Sequence, residues 1–471
     1  AMEYSLDLNE NQYEVRTLTM GETTIRFRAF EDLVYVRHPV DLEHQKLNLY
    51  IPEDYYEGKT IHGYTGKTVP IFFPNASGAY ASGPADRPGP NFRLWGRGKP
   101  NGIFYALAAG FVVAAPGSRG RTVQDENGDF LGCAPAHIVD LKAAVRYLRH
   151  NKDRILGDTE HIISNGTSAG GALSALLGTS GNSVEYEPYL EALGAAQERD
   201  DIFAASCYTP IMDLEHADMA YEWMFHGVNH YELHIVKNIG GELHESFVEG
   251  DMTPEQIEQS DFLVARFADY VNSLGLEDGT GTSLELSSDG SGSFRNYVTS
   301  FVVQSAQRAL DQGADLSGMP WITVENSRVT ALDLAAHARY ATRMKQLPAF
   351  DQWDLRSPEN ELFGTAKQQF QHFTEYGKAH STAGGELCDS RIVALMNPLT
   401  FAKGDRSQVC RHWRIRFGTL DRDTSMAVSV IFAAVLRQAG FDVDYFMPWE
   451  IPHAGDYDMD ELFTWIRSLC P

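Results

Sequence analysis

Apolar runs and amphipathic stretches alternate through residues 1–210 of the chain. Period-two alternation predicts early, partly exposed strands at 34–36 and 46–51, and continuous apolar runs predict buried strands at 69–73, 110–115 and 201–206. Apolar residues at helical spacing predict a helix that packs on the sheet, namely Ile138, Leu141, Val145 and Leu148. Strands that alternate with helices predict an α/β protein, a mostly parallel sheet with helices on both faces.

This pattern changes at Pro210. Residues 211–396 are mainly helical in pattern and rich in aromatic residues, histidine and aspartate. Because a segment of this length is too long for a connection, we expect an inserted domain that covers the carboxyl edge of the sheet as a lid. Inside it, the Gly/Ser/Asp-rich residues 278–293 predict a mobile loop.

The core pattern resumes after the insert. It predicts a strand at 412–418, a very apolar helix at 426–438, a last strand at 441–448 and a closing helix. The predicted division of the chain is therefore a first core part at 1–210, an inserted lid domain at 211–396 and a second core part at 397–471.

The charge balance is strongly acidic. The 471 residues include 39 Lys and Arg against 64 Asp and Glu, a formal net charge of −25, and no basic run occurs. Nucleic acids and anionic membrane surfaces require clustered Lys and Arg, so neither is an expected partner. No apolar run approaches the ~20 residues that span a bilayer. We interpret the acidity as a source of solubility.

The five cysteines indicate a reducing compartment, because they are odd in number, scattered and without a C-x-x-C spacing. The same distribution argues against a disulfide framework or a zinc site. The acidic N-terminus has no apolar signal-peptide region, so we expect a cytoplasmic location. Ala1 fits a cloning remnant, so the alternative is a protein whose leader peptide was removed. No metal or organic cofactor is predicted, and the oligomeric state is left open.

The strongest chemical signal is a Gly-x-Ser-x-Gly motif between a β-branched run and a helix-forming run. In a nucleophile elbow the serine sits in a strained turn, so the residues two positions away must be small, and Gly166 and Gly170 meet that demand. Ser168 is the predicted nucleophile, and the amide of Ala169 is the predicted oxyanion donor. The loop after the third strand supplies a second such amide in hydrolases of this type; Gly78 is the candidate, with a plain turn as the alternative.

A serine nucleophile needs a histidine base and a carboxylate that orients it. On this scaffold the chain order is Ser, then Asp or Glu, then His, each in a loop after a strand. His453 follows the last predicted strand and is the predicted base. Asp421 and Asp423 both follow the preceding strand. We favour Asp421 as the acid, with Asp423 facing the substrate and the reverse assignment as the alternative.

Seven stretches resemble the bacterial tannases, intracellular esterases that cleave gallate esters. They are NGTSAGG at 165–171, LEHADMAYEW at 214–223, PAFDQ at 348–352, SPEN at 357–360, RIR at 414–416, DRDTS at 421–425 and IPH at 451–453. The resemblance runs nearly end to end and implies an α/β-hydrolase core with a large, mainly helical inserted lid. It implies a triad of Ser168, Asp421 and His453, with Gly78 and Ala169 as the oxyanion hole. It also implies that the three phenolic hydroxyls of a galloyl ring bind Lys345, Glu359 and Asp423.

This last group of residues suits a ring with several phenols. Phenols donate hydrogen bonds, carboxylates accept them, and a lysine donates to the remaining lone pairs. The residues alone would favour a salt bridge between Lys345 and Glu359 within the lid, and the resemblance reverses that preference. In secreted fungal relatives and feruloyl esterases a disulfide joins cysteines beside the catalytic Ser and His. Thr167 and Pro452 stand there in this chain, so the bacterial type fits better.

The predicted activity is hydrolysis of galloyl esters through an acyl-enzyme on Ser168. A feruloyl esterase is the first alternative, but a ferulate ring would leave polar partners unpaired at a cost of about 1–3 kcal/mol each. A serine peptidase of the prolyl-peptidase kind has the same triad order, but no propeller repeat occurs. A non-catalytic binding module would have lost the nucleophile or the base. The alcohol part of the substrate is left open.

Overall fold

The computed structural model describes residues 2–239 and 242–471, with Asn238 described by its backbone alone. The strands are β1 (Glu14–Met20), β2 (Thr23–Val34), β3 (Lys46–Pro52), β4 (Pro70–Pro74), β5 (Val112–Pro116), β6 (Asp158–Thr167), β7 (Ala204–Tyr208), β8 (His230–Ile239), β9 (Glu242–Asp251), β10 (Ile322–Glu325), β11 (Arg328–Leu332), β12 (His412–Arg416) and β13 (Asp442–Phe446).

The α-helices are α1 (Gly102–Ala108), α2 (Ala136–His150), α3 (Ala169–Thr179), α4 (Glu187–Leu193), α5 (Leu214–Phe225), α6 (Pro254–Ser273), α7 (Ser293–Asp311), α8 (Leu334–Ala341), α9 (Pro358–Leu362), α10 (Glu375–Ala379), α11 (Ser390–Leu395), α12 (Met426–Gln438) and α13 (Met459–Leu469). Short 3-10 helices cover Glu53–Glu57, Val184–Tyr186 and Pro398–Thr400. Within the described ranges, none of the helices is long and apolar enough to cross a bilayer.

Nine strands form one sheet in the order β1-β2-β3-β5-β4-β6-β7-β12-β13. The three pairs from β1 to β5 are antiparallel. The five pairs from β5 to β13 are parallel. The prediction of a mostly parallel sheet is therefore confirmed.

The central strands are buried on both faces. Every residue of β5 and of β7 is buried, and these strands are composed mainly of alanine, valine and other small residues. Successive side chains of a strand point to opposite faces, so burial of all of them means that both faces are covered. The helix α2, of which every residue except His150 is buried, provides part of this cover.

The early strands begin earlier than predicted. A hairpin of β1 and β2 precedes β3, and β2 ends at Val34, where the predicted strand 34–36 begins. A bulge interrupts the pairing of β2 with β3 between Phe30 and Leu33, and Asp32 there has a φ of 57°. The prediction of a strand at 34–36 is therefore wrong beyond Val34, because a bulge interrupts the period-two alternation of the strand that ends there.

Residues 211–396 contain the helices α5 to α11, and they also contain two antiparallel hairpins that were not predicted, β8–β9 and β10–β11. Nearly all side chains of β9 are exposed, so the sequence of this strand has no buried face that would produce an apolar alternation. In the loop between α6 and α7, the Asp278 carboxylate accepts hydrogen bonds from the N–H groups of Thr280 (2.8 Å) and Thr282 (2.9 Å). The mobility of this loop and the division of the chain at 210 and 396 stay predictions.

Candidate active site

The residues of the candidate site follow five neighbouring parallel strands. In the sheet order β4, β6, β7, β12 and β13 lie side by side, so their carboxyl ends meet at one edge. The loops at that edge carry, in the same order, Gly78, Ser168, Thr209, Asp421 and His453. This edge is where open parallel sheets of α/β proteins build their sites.

Ser168 occupies the predicted elbow between β6 and α3. Its φ of 64° and ψ of −121° lie outside the regions that a non-glycine residue prefers, which is the strain expected of a nucleophile elbow. A Cβ on Gly166 would lie 2.1 Å from the carbonyl oxygen of Gly170. A Cβ on Gly170 would lie 2.7 Å from the side-chain oxygen of Asn75. The turn therefore closes only with glycine at both positions.

The three predicted triad residues lie in direct contact. His453 Nε2 is 2.8 Å from Ser168 Oγ, and its Nδ1 is 2.7 Å from Asp421 Oδ2. Asp421 is fully buried, and its other oxygen accepts the N–H of Asp423 at 2.9 Å. The carboxylate of Asp423 is 3.6 Å from His453 Nδ1, beyond hydrogen-bonding distance. Of the two aspartates that the sequence left open, Asp421 thus makes the direct contact.

The electrostatic surroundings favour the imidazolium form of His453. Burial lowers the pKa of His453, but the negative charges of Asp421 and Asp423 and the hydrogen bond to Asp421 outweigh it and raise the pKa to about 9. Lys345 opposes these two aspartates with its positive charge. The surroundings therefore stabilise the imidazolium cation of His453.

The two predicted oxyanion donors lie in different elements. Ala169 is the first residue of α3, so its N–H has no carbonyl partner one turn earlier in the helix. Gly78 is an exposed residue of the loop after β4, where the next two residues, Ala79 and Tyr80, have φ values of 50° and 59°. Arg121 stabilises this loop, because its Nε donates to the carbonyl of Ala79 at 2.7 Å and its N–H donates to that of Tyr80 at 3.0 Å.

We call Lys345, Glu359 and Asp423 the ring cluster; Lys345 contacts Asp423, and the charges of both act on Glu359. Lys345 Nζ donates to the backbone carbonyl of Asp423 at 2.7 Å, lies 4.0 Å from its carboxylate and sits 4.2 Å above the ring of Phe350. Glu359 lies on α9 and is only 6% exposed. Burial raises the pKa of Glu359, and the charges of Lys345 and Arg121 act against that rise. The salt bridge between Lys345 and Glu359 that the residues alone would favour is not formed.

Three comparisons with known proteins agree on a family of esterases. The family model BD-FAE matches residues 106–227. The crystal structure of tannase from Lactobacillus plantarum superposes with a TM-score of 0.94 at 44% identity, over 99% of this chain and 100% of that one. The structure of Fusobacterium nucleatum tannase gives a TM-score of 0.94 at 43% identity over 100% of both chains. The chain belongs to the tannase family.

Other similar proteins are consistent with the tannase family. A tannin acyl hydrolase in complex with ethyl gallate is 45% identical, with a TM-score of 0.92 and 99% of both chains covered. Esterase LipQ from Mycobacterium tuberculosis is 35% identical over 97 residues, which is 21% of this chain and 22% of that protein. The match thus spans about a fifth of that esterase. The predicted family and the predicted α/β-hydrolase fold are confirmed.

Thr209 is a residue of this tannase-family site that the sequence analysis missed. It follows β7 directly, its hydroxyl donates a hydrogen bond to Asp421 Oδ2, and it lies 3.4 Å from His453 Nδ1. A threonine before a proline at the end of a strand is not part of any catalytic sequence motif, so the sequence gives no reason to single it out. Its position becomes evident only once β7 is known to lie between β6 and β12.

This member of the tannase family has clusters of side chains that could hold a metal ion. Among the described residues, three groups bring His and carboxylate ligand atoms within 4.8 Å of one another: Asp41, Glu43 and His44; His230, Glu232 and Glu249; and Asp421, Asp423 and His453. In the third group both nitrogens of the histidine already have hydrogen-bond partners in the triad. The expectation that the enzyme needs no metal or cofactor stays a prediction.

Proposed function

We propose that this tannase-family protein is a serine esterase that hydrolyses galloyl esters to gallate and an alcohol. The observation that carries the proposal is the contact of Ser168 Oγ with His453 Nε2 at 2.8 Å, next to a ring cluster of one lysine and two acids. The related tannin acyl hydrolase crystallised with ethyl gallate supports the class of substrate. The triad supplies the chemistry, and the ring cluster supplies the selectivity.

The first half of the reaction forms an acyl-enzyme. Ser168 attacks the ester carbonyl carbon while its proton passes to His453 Nε2. The amides of Gly78 and Ala169 stabilise the negative charge that develops on the carbonyl oxygen. When the tetrahedral intermediate collapses, the bond to the alcohol oxygen breaks and His453 protonates that oxygen. The alcohol leaves, and the galloyl group remains bound to Ser168.

The second half releases gallate. A water molecule loses a proton to His453 and attacks the galloyl carbonyl, and Ser168 leaves with a proton from the same histidine. Throughout both halves Asp421 orients the imidazole and stabilises its cation, as its contact with Nδ1 at 2.7 Å supports. Because both halves use the same base, a single substitution at His453 would stop both.

The ring cluster would bind the three phenolic hydroxyls of the acid. The carboxylates of Glu359 and Asp423 accept hydrogen bonds from phenols, and Lys345 donates to phenol oxygens. Lys345 and Glu359 belong to residues 211–396, which we propose act as a lid over the carboxyl edge of the sheet. Asp423 belongs to the core, so substrate would contact both parts of the molecule.

The test compares acid release from methyl gallate and methyl ferulate, with Ser168→Ala as the blank. We expect strong cleavage of methyl gallate and little cleavage of methyl ferulate, which has a single free phenol. Faster cleavage of methyl ferulate than of methyl gallate would be consistent with the triad but would refute the proposed role of the ring cluster. Cleavage of neither ester would refute the proposed activity, and equal rates in the Ser168→Ala variant would refute the nucleophile.

A further inference from the structure

We infer that Thr209 is a positioning residue whose hydroxyl holds the Asp421 carboxylate in the orientation that pairs it with His453. In this way Asp421, and not Asp423, becomes the partner of His453. The inference rests on the proposed function. It concerns how one of two neighbouring acids comes to serve the triad while the other stays available to substrate.

The first observation is the pattern of hydrogen bonds around Asp421. Its Oδ2 accepts both from His453 Nδ1, at 2.7 Å, and from the Thr209 hydroxyl. Its Oδ1 accepts the N–H of Asp423 at 2.9 Å. Donors on both oxygens fix the plane of the carboxylate, so that one oxygen points at the imidazole. Because Thr209 and His453 share the same oxygen, the hydroxyl acts at the catalytic contact itself.

The second observation is the backbone of Thr209. Its φ is 40°, a value that β-branched residues rarely adopt, and it precedes Pro210, which further favours extended conformations. The residue is fully buried, and its N–H donates to the carbonyl of Arg416, at the end of β12, at 2.6 Å. Strain of this kind persists only where the surroundings enforce it, and it concentrates at functional sites. Here it directs the hydroxyl toward Asp421.

The third observation is the competing acid. Asp423 Oδ2 lies 3.6 Å from His453 Nδ1, so a small movement of the imidazole would exchange one aspartate for the other. The charged groups that face His453 are Asp421, Asp423 and Lys345. Without the Thr209 hydroxyl, Asp421 would lose one of the donors that fix its plane, and its carboxylate could rotate away from the imidazole. Catalysis would slow for every ester, because the triad acts on all of them.

The experiment measures kcat and KM for methyl gallate and phenyl acetate across the neutral and alkaline range. Thr209→Val removes the hydroxyl and keeps the shape, and it should lower kcat for both esters by about tenfold or more. The acidic limb of its pH profile should move to lower pH, since a carboxylate that is free to rotate away holds the imidazolium less tightly. Thr209→Ser, which keeps the hydroxyl, should stay within about threefold of the parent enzyme.

Thr179→Val is the matched control. Thr179 is also fully buried, its hydroxyl has no hydrogen-bond partner among the described residues, and it ends α3 away from the triad. This variant should keep the kinetics and the pH profile of the parent. Should Thr209→Val not fold, Thr209→Ala and Thr209→Ser decide the question, because the inference requires serine to restore what alanine loses.

Two results would overturn the inference: a Thr209→Val variant with the kcat and pH profile of the parent, or a Thr209→Ser variant as impaired as Thr209→Val. Phenyl acetate separates this inference from the proposed function. Cleavage of phenyl acetate without cleavage of methyl gallate would refute the galloyl specificity while still reporting on Thr209.

Discussion

The triad and the ring cluster differ in how many of their polar atoms already have partners. In the triad, both nitrogens of His453 and both oxygens of Asp421 form hydrogen bonds within the protein. In the ring cluster, the one hydrogen bond of Lys345 Nζ to a described residue goes to a backbone carbonyl, and this nitrogen lies 4.0 Å from the Asp423 carboxylate. Glu359 is buried and forms no salt bridge with any residue that the structure describes.

The difference separates two tasks. A catalytic group works best when its partners are fixed before the substrate arrives, because no reorganisation is then needed during the reaction. A selective binding group works by remaining incompletely paired until the right ligand arrives, because an analogue without the matching hydroxyl leaves a buried polar group unsatisfied. The triad should therefore act on many esters, and the ring cluster should decide which of them bind well.

The largest effect is expected from Ser168→Ala, which removes the proposed nucleophile. Activity on every ester should fall by at least about 10⁴-fold, and binding with the oxyanion hole should leave ~10³-fold over water. Rates with methyl gallate and phenyl acetate measure the loss, and the mass of the intact protein during turnover should show a galloyl adduct only in the parent. Appreciable turnover by the variant would contradict the assignment of Ser168.

A smaller and selective effect is expected in the ring cluster. Lys345→Met or Glu359→Gln should lower kcat/KM for methyl gallate by about 10- to 100-fold, which corresponds to the cost of leaving one polar group unpaired. With phenyl acetate, which has no ring hydroxyl on its acid, the same variants should stay within about threefold of the parent. Equal losses with both esters would indicate a misfolded lid instead of a binding site.

The smallest expected effect is a shift in the pH profile of kcat/KM, and it distinguishes the role of Asp423 from that of Asp421. His453 acts as a base only when neutral, so kcat/KM should rise with pH and level off above its pKa, which is raised to about 9. Asp423→Asn removes one of the negative charges that raise this pKa. The acidic limb should therefore move to lower pH, and phenyl acetate turnover at neutral pH should increase slightly.

Glu359→Gln is the control for this pH shift, since Glu359 is not among the main charges that act on His453. Its pH profile with phenyl acetate should match that of the parent. The Ser168→Ala variant corrects for spontaneous hydrolysis at high pH. If the acidic limb of the pH profile were unchanged in Asp423→Asn, the electrostatic coupling between Asp423 and the triad would be contradicted.

The sequence was informative where one local pattern decides the structure. The Gly-x-Ser-x-Gly motif between a β-branched run and a helix-forming run predicted the elbow, because steric limits act over five consecutive residues. The helix predicted at 426–438 coincides with α12 (Met426–Gln438), which is apolar around most of its circumference. The strands of the parallel sheet were predicted because each is a short local run of apolar residues.

The sequence was less informative where distant residues meet. It favoured Asp421 over Asp423 but could not decide between them without the resemblance, because both follow the same strand and the choice depends on contacts with His453 and Thr209. Thr209 itself was not identified at all. The exposed hairpin β8–β9 was missed because a strand without a buried face shows no apolar alternation.

The central claim, that the triad performs chemistry and the ring cluster holds the acid, is tested most directly by ligand affinity in the absence of turnover. Calorimetry would measure the Kd of methyl gallate for Ser168→Ala and for Ser168→Ala combined with Glu359→Gln. We predict that the first variant binds the ester without cleaving it, and that the second binds it about tenfold or more weakly. Equal affinity of the two variants would contradict the account.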